Sequence, residues 1–461
     1  MLRKRRNDLD PKIVNRLKEI VGPQWVTDDP WELCAYARAW SYEPHRRPDV
    51  VVNPGSTQDV VEIMKLANET LTPVNVRAGG TTNTGAAIPR QGGITLDMNR
   101  MSPPIELDEG SQSFTAQAGV TTYRAIKELA ARGWKIPWRP EYGNAVTLAA
   151  WVNFNGMGVG SSVYGRVGDF LLGLEVVLPT GEVVHTGSSH FGKAGKFTRY
   201  QGTGPDLTGL FLESLGTMGV ITEVYMRMYR IPEAMGQIDF AFDDEDSIQE
   251  AIRLLVEANI SYAICVTDEQ MCMTNRLPKA PGKWLLTMIA EGWKEEVDFR
   301  LRKGRELCIK AGGKEFPPDR PRAQWGSAAS ISLPYEPSRR QVSCGGFHPI
   351  HKTKEIFNAY NEVGEKYGLQ RGMGWWTCGN YCNQFPIYVY NEETDMDMIF
   401  KAIKEVHTRW IEAGYVPDYP GPFPNMTPYI ERSYLELYRK VKKALDPNNI
   451  MHRGMQPDVE D

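Results

Sequence analysis

At 461 residues the chain is too long for one hydrophobic core, and about 100 to 200 residues per domain sets an expectation of two or three. Hydrophobic residues at 41% and charged residues at 24% do not fit a disordered chain, and a formal net charge of −4 removes the basic field a nucleic-acid partner needs, so the expected partners are a small molecule or a protein. No window nears the roughly 20 apolar residues that span a bilayer, no apolar leader follows the basic start MLRKRRNDLDPK, and seven scattered cysteines (34, 265, 272, 308, 344, 378, 382) lead us to expect a reducing, cytoplasmic setting.

Residues 1–46 form an N-terminal segment with helical character. From 50 onward the pattern alternates: VVVNP is a short apolar strand, TQDVVEIMKLANET carries apolar residues at helical spacing, and TPVNVRAGG is a strand that runs into glycines. GGITLDMNRM supplies a further strand. IELDEGSQSFTAQAGVTTYRAIKELAARGW predicts strand, turn, strand and an amphipathic helix, while FLLGLEVVLPTGEVVHTG predicts a hairpin turning at Thr180-Gly181. A first domain over 47–232 closes at the proline of MYRIPE. A second, over 233–420, opens with an acidic helix start in AFDDEDSIQEAIRLLVEANI and continues in separated β-like runs such as KWLLTMIAEGW and QFPIYVYNEE. GYVPDYPGPFPNMTP is too rich in Pro and Gly for regular structure. A last helix, YIERSYLELYRKVKKALD, and the turn PNNIM form a segment, 421–461, expected to return to the first domain.

The chemistry concentrates in VRAGGTTNTGAAIP, residues 76–89. Glycines at 79 and 80 expose backbone N–H groups, and short hydroxyl and amide side chains follow, a nest suited to a pyrophosphate. It is neither GxGxxG nor GxxxxGK. With PEYGNAVTLAAWVNFNGMGVGSSVYGRVGDFLLGLEVVLPTGEVVHTG (140–187), GPDLTGLFLESLGTMGVITEVYMRM (204–228) and LDPNNIMHRGMQ (445–456), the chain resembles the vanillyl-alcohol oxidase and p-cresol methylhydroxylase superfamily of FAD-linked oxidases. The resemblance implies an α+β fold: a two-part PCMH-type FAD-binding domain and an α+β substrate (cap) domain with an antiparallel sheet. It implies FAD as cofactor, cradled by Arg77, Ala78, Gly79, Gly80, Thr81, Thr82, Asn83 and Thr84, with Thr147, Asn155, Gly158 and Gly160 on a second lining loop and Ile221 beside the adenine and ribose. Thr81 stands where one branch bonds flavin through a histidine, so that attachment is absent. In SCGGFHPI (343–350), Cys344 falls where relatives carry the residue that bonds the 8α-methyl carbon, which makes it an expected flavin contact.

The first domain also resembles D-lactate and glycolate dehydrogenases, but their metal motif GHxGDGNxH corresponds to GWWTCGNYCNQ (374–384), which lacks the histidines. No metal is expected. The phenol-oxidising branch fits the second domain better through FHPI, PIYVYNEET and IEAGYVPDYPG, although Pro420 replaces its arginine and Gly156 its aspartate. The resemblance thus implies a dehydrogenase that takes a hydride from a small alcohol or phenol-type substrate and hands electrons to an electron-transfer flavoprotein, cytochrome or iron–sulfur partner, within a homodimer or larger complex. A 2-hydroxy acid dehydrogenase is the alternative; a redox-neutral transferase like alkylglycerone-phosphate synthase and a non-catalytic FAD subunit are rivals. The candidate bases are His348, whose imidazole titrates near neutrality, and Tyr419. Trp375, Trp376, Tyr388, Tyr390 and Tyr415 are the candidate substrate contacts.

Overall fold

The computed structural model describes residues 9–39, 41, 43–139, 143–200, 202–274, 281–317, 339–343, 345–417 and 427–455. Two large hydrophobic cores organise them. The first draws on residues from Val14 to Met228 and, from the far end of the chain, on Ile450 and Met451; the second draws on residues from Ile238 to Tyr415.

In the first core Val50–Val52 lies parallel to Ile94–Asp97, which lies parallel to Val74–Arg77. The first two strands are buried along their whole length, which is why they read as unbroken apolar runs rather than alternating ones. Helix Thr57–Glu69 makes the crossover between Val50–Val52 and Val74–Arg77. Its start is set by Ser56, whose hydroxyl accepts the Asp59 N–H at 3.1 Å, and Val60, Ile63, Met64 and Ala67 bury its apolar face. A second, five-stranded sheet runs in the order Glu106–Asp108, Ser113–Gln117, Val220–Arg227, Leu171–Val177, Val183–His185, antiparallel throughout. The expected hairpin turns where Gly181 adopts φ 89°.

The C-terminal helix Arg432–Leu445 ends in an ion pair between Lys442 and Asp446, both almost fully buried. Such a pair is tolerated inside only when its remaining hydrogen bonds are met. Here Lys442 Nζ also donates to the Thr217 carbonyl at 2.7 Å, and Asp446 accepts the N–H groups of Ile450 and Met451 at 3.0 and 2.9 Å. The pair bends PNNIM back onto the first core, where Val74 N–H donates to the Ile450 carbonyl and His452 N–H to the Val74 carbonyl, both at 2.8 Å. The tail thereby covers the free edge of the strand that leads into the glycine loop.

The second core is built on an eight-stranded sheet, in the order Lys314–Phe316, Ala234–Phe242, Trp284–Gly292, Ala263–Asp268, Gly374–Cys378, Tyr381–Gln384, Gly346–Pro349, Val416–Pro417. All its pairings are antiparallel. The stretch read as irregular from 414 therefore contributes a short edge strand before passing outside the described residues at 418. A smaller sheet joins Arg339–Ser343, Ile387–Asn391 and Gln370–Gly372. Helices Glu245–Ala258, Lys294–Lys310, Thr353–Lys366 and Met396–Glu412 pack Ile248, Val297, Ile356 and Ile399 into this core. None of the described helices is long and apolar enough to cross a membrane.

The two cores meet along a seam in which Val159 and Tyr164 of the first pack with Tyr262, Ala263, Ile289 and Trp376 of the second. At its centre the Lys135 ammonium pairs with the buried Glu291 carboxylate and lies 5.0 Å from the Tyr262 ring centroid, while the Tyr164 hydroxyl donates to Glu291 at 3.2 Å. The Tyr262 hydroxyl donates across the seam to the Pro137 carbonyl at 3.1 Å. Removing one member of a buried pair leaves the other charge without a partner, a loss of about 3–5 kcal/mol. Lys135→Met is therefore expected to destabilise the protein by about that amount in denaturant titration, and Lys135→Met with Glu291→Leu by distinctly less; a double variant as unstable as the sum of the singles contradicts this reading.

Candidate functional site

A cleft with a cavity of about 240 Å³ follows the seam from the glycine loop to the cap sheet. One end is made by Val76 to Asn83, in sequence order, together with Ala86 and Ala87. Arg77 is immobilised there: its Nη1 donates to the Arg38 and Ala87 carbonyls at 2.8 and 3.2 Å, and its guanidinium lies 5.4 Å from the Tyr36 ring centroid. Gly79 comes so near the neighbouring chain that a Cβ would meet the Ala145 carbonyl oxygen at 2.1 Å, and Gly80 turns with φ 64°. Thr84 does not line the cleft. It is buried, and its Oγ1 shares a 2.6 Å hydrogen bond with Thr82 that shapes the loop from behind.

The middle of the cleft has Thr147 and the helix Leu148–Asn153 on one side and Gly216, Gly219 and Ile221 on the other. Thr147 has two tasks, since its Oγ1 also caps that helix by accepting the Ala150 N–H at 3.3 Å. Asn155, Gly158 and Gly160 stand behind the wall. Asn155 Oδ1 accepts the Gly168 N–H at 3.0 Å, Gly158 N–H donates to Ser161 Oγ at 3.0 Å, and Gly160 turns at φ 112° where a Cβ would run into the Tyr262 ring. His452 reaches the same region from the tail: its Nε2 accepts the Val76 N–H at 2.8 Å, which puts the ring proton on Nδ1, and a Cβ on Gly216 would touch its ring at 2.5 Å. Burial, with Arg90 and Lys442 nearby, pushes its pKa down to about 3.

The far end is the cap sheet. Trp376, Phe347, Asn383 and Phe385 line the cavity, and Ser343 and Ile387 reach it from the smaller sheet. Successive side chains on a strand point to opposite faces, so the strand neighbours of Phe347 and Trp376 point away, whereas Gln384 lines the cavity together with Asn383 and Phe385. His348 follows Phe347 and is turned toward helix Thr353–Lys366, its Nε2 3.2 Å from Thr353 Oγ1, its Nδ1 unpaired and its pKa pushed down to about 3 by burial alone. Trp375 precedes Trp376 and packs on Trp284 with ring centroids 5.0 Å apart. Tyr388 stacks on Tyr360 at 4.8 Å, Tyr415 lies 4.8 Å from Trp410, and Tyr390 belongs to the same core. Of the expected substrate contacts only Trp376 meets the cavity, and His348 is not positioned as its base. Cys344 and Tyr419 lie outside the described residues, though Ser343 beside Cys344 is on the wall. Phe347, Asn383, Phe385, Arg166 and Trp151 are lining residues that the motifs did not single out. Strand alternation around Trp376, which pairs with Asn383, leads to the cap residue Asn383, whereas Arg166 and Trp151 lie within the quoted stretch 140–187 with no signal that marks them.

Residues 48–187 match the FAD binding domain family. The chain is 24% identical over 467 residues to glycolate oxidase subunit GlcD of Bacillus subtilis (strain 168), covering 96% of each chain. Among solved structures it superposes on p-cresol methylhydroxylase with substrate bound at a TM-score of 0.85 and 18% identity, over 98% of this chain and 97% of that one. Alkyldihydroxyacetonephosphate synthase gives a TM-score of 0.77 at 18% identity, over 98% and 86%. The chain is an FAD-linked oxidoreductase that carries an FAD binding domain over residues 48–187, and its α+β fold matches that of p-cresol methylhydroxylase.

The cleft suits this cofactor. Its cradle end and middle include Ala78, Gly79, Gly80, Ala86, Ala87, Ala118, Ala149, Ala150, Gly216 and Gly219 in their walls, so at these positions backbone can lie close against a long, flat group. Adding one methyl at Gly79 is expected to weaken FAD binding about ten- to a hundredfold, read as loss of flavin absorbance from purified Gly79→Ala protein; full flavin content in that variant contradicts the cradle. The two neutral histidines set a pH dependence. Each binds a proton in the unfolded chain below about pH 6.5 but not in the folded one until about pH 3, so stability is complete above the first value and falls as pH drops between them. The slope approaches about 1.4 kcal/mol per pH unit for each histidine. His348→Leu is expected to remove its share of that slope, measured by denaturation between pH 4 and 7.

Proposed function

We propose that this FAD-linked oxidoreductase takes a hydride from a C–H bond of a small, flat alcohol or phenol-type substrate, and that it works as a dehydrogenase whose electrons pass to a partner protein. The observation that carries the reading is the continuity of the cleft, from a cofactor cradle of small residues to a cap wall of aromatic ones. FAD, when bound, supplies the hydride acceptor. The chain supplies position and a dry enclosure: Trp376 and Phe385 meet edge to face at 5.2 Å and Phe347 meets Tyr381 at 5.7 Å, leaving ring faces and edges against which a flat body is held in one orientation. The hydroxyl proton must leave as the hydride does, and Tyr419, in its phenolate form, is the residue we assign to receive it. His348, behind the sheet and held neutral by burial, is left with a packing role.

A 2-hydroxy acid is the second reading, favoured by the likeness to the glycolate oxidase subunit along nearly the whole of both chains. We assign the orientation of such a substrate to the side chains that line the cap end of the cleft. For either reading the acceptor we propose is an electron-transfer flavoprotein, a cytochrome or an iron–sulfur subunit.

Anaerobic titration tests the proposal. Benzylic alcohols, 4-alkylphenols, glycolate and D-lactate are added separately to the holoenzyme, and the flavin band is followed: bleaching by a member of the first two groups supports the primary reading, and bleaching by the hydroxy acids alone replaces it with the second. A flavin that none of them reduces rejects both. Trp376→Ala is expected to raise KM by about tenfold and also to cost stability, because its ring packs in the seam, whereas Trp375→Ala is expected to lower stability by about 3–5 kcal/mol and leave KM near its original value.

A further inference from the structure

We propose that Arg166 is a specificity-determining residue that anchors an oxyanion on the substrate, a carboxylate or a phosphate monoester, and that Glu213 is its resident competitor. The proposal rests on the reading that the aromatic end of the cleft receives the oxidisable substrate. Among the described residues that line the cleft the charged side chains are Arg77 and Arg166, and no Asp or Glu is among them. Arg77 is tied to two carbonyls at the cofactor cradle. Arg166 stands at the other end, where its guanidinium lies 4.5 Å from the centroid of the Phe347 ring on the cap wall.

The guanidinium is only partly used. Its Nε donates to the Asn155 carbonyl at 2.7 Å and its Nη2 lies 2.5 Å from Glu213 Oε1, while among the described residues Nη1 makes no hydrogen bond or ion pair. A guanidinium carries five N–H donors in a planar fork that matches a carboxylate or phosphate edge, and two contacts leave most of that fork available. Its side chain is 16% exposed, yet that of Glu213 is 50% exposed. A pair with one wet member is weak and exchangeable. The surroundings reinforce this asymmetry: Phe347 and Trp376 give a low-dielectric wall on which an anion meeting Arg166 is attracted more strongly than in water, and the Ser343 hydroxyl on the same cavity is buried with no partner of its own.

The backbone around Arg166 is also unusual. Asn155, Glu213 and Leu215 have φ of 48°, 55° and 50°, left-handed conformations that non-glycine residues seldom adopt, and the guanidinium bridges the first two. Such conformations persist where the surrounding structure holds them, and they gather at ligand sites. A purely structural tie and an anchor make opposite predictions for Glu213: a tie needs its carboxylate, whereas an anchor is released by losing it.

The test uses the FAD-loaded enzyme with sodium acetate and inorganic phosphate as separate probes, each titrated at constant ionic strength while the flavin difference spectrum is recorded. A saturable spectral change is expected with one probe, and which one decides between carboxylate and phosphate. Arg166→Met is expected to weaken its Kd about tenfold or more, Arg166→Lys to restore part of the loss, and Glu213→Gln to tighten it about fivefold. No saturable change with either probe overturns the proposal, as does Glu213→Gln weakening the Kd or leaving it unchanged. Should Arg166→Met fail to fold, Glu213→Gln still decides. Neutral alcohols that reduce the flavin with a KM indifferent to Arg166 reject the anchor while leaving the alcohol reading intact; acetate binding that depends on Arg166, in a protein whose flavin no neutral alcohol reduces, supports the anchor and rejects the alcohol reading.

Discussion

The contact between Lys135 and Glu291 is the one on which the arrangement of the site depends, because it joins two independently packed cores along the line where the cleft runs. A charge pair removed from water is a poor source of net stability but a strong source of register, since any other docking of the two cores would bury one of the charges alone. Tyr164 and Tyr262 confirm the register with hydroxyl hydrogen bonds made from opposite sides of the seam. Gly160 is small because the Tyr262 ring lies where its side chain would be. With the cores in register, Trp376 and Phe347 face the glycine loop across the cavity rather than one another's backs.

A second constraint acts on the glycine loop itself. A loop that presents its backbone to a flat cofactor has few side-chain contacts of its own, so it must be held from behind. The tail does part of this work: Ile450 and His452 hydrogen-bond to the strand just before the loop, and the buried Lys442–Asp446 pair holds the tail in place. The neutrality of His452 follows from its position, because a proton on its Nε2 would eliminate the bond it accepts from Val76 and would place a charge in a site with Arg90 and Lys442 close by. Segments almost 400 residues apart in sequence thus meet at the mouth of the cofactor cradle, which explains why the end of the chain carries a motif at all.

The parts of the site that were legible in sequence are those written as backbone requirements. Gly79, Gly80 and the threonines that follow them read directly as a nest, and the strand–helix–strand pattern around them needed only hydrophobic spacing and a Ser or Thr cap. What was misread lies on strands of the cap. Trp375 with Trp376, and Phe347 with His348, are adjacent pairs in which one member faces the cavity and the other the core. Both members of each pair have the right chemistry for a site, and nothing in the local sequence states which face of the sheet the cavity is on. The histidine was attractive as a base for its intrinsic pKa, and the property that made it attractive is removed by burial on the wrong side of the strand.

Arg166 shows the same division from the other side. It lies with Tyr164, Gly165 and Asp169 in the stretch 140–187, yet its orientation is produced by three partners, two of them from distant segments: the carbonyl of Asn155, the carboxylate of Glu213 and the ring of Phe347. The sequence by itself determined the nest-like glycine loop and the alternation of elements around it, because these depend on short-range spacing, on φ freedom at glycine and on the period of apolar residues, while the cofactor class and the antiparallel cap came from the resemblance that its motifs carry. Only the tertiary structure decided which aromatic residues face the cleft, which cation is left with unused donors, and that His348 and His452 are held neutral by burial. Those properties depend on strand parity relative to a partner surface and on desolvation, and both are set by residues far away along the chain.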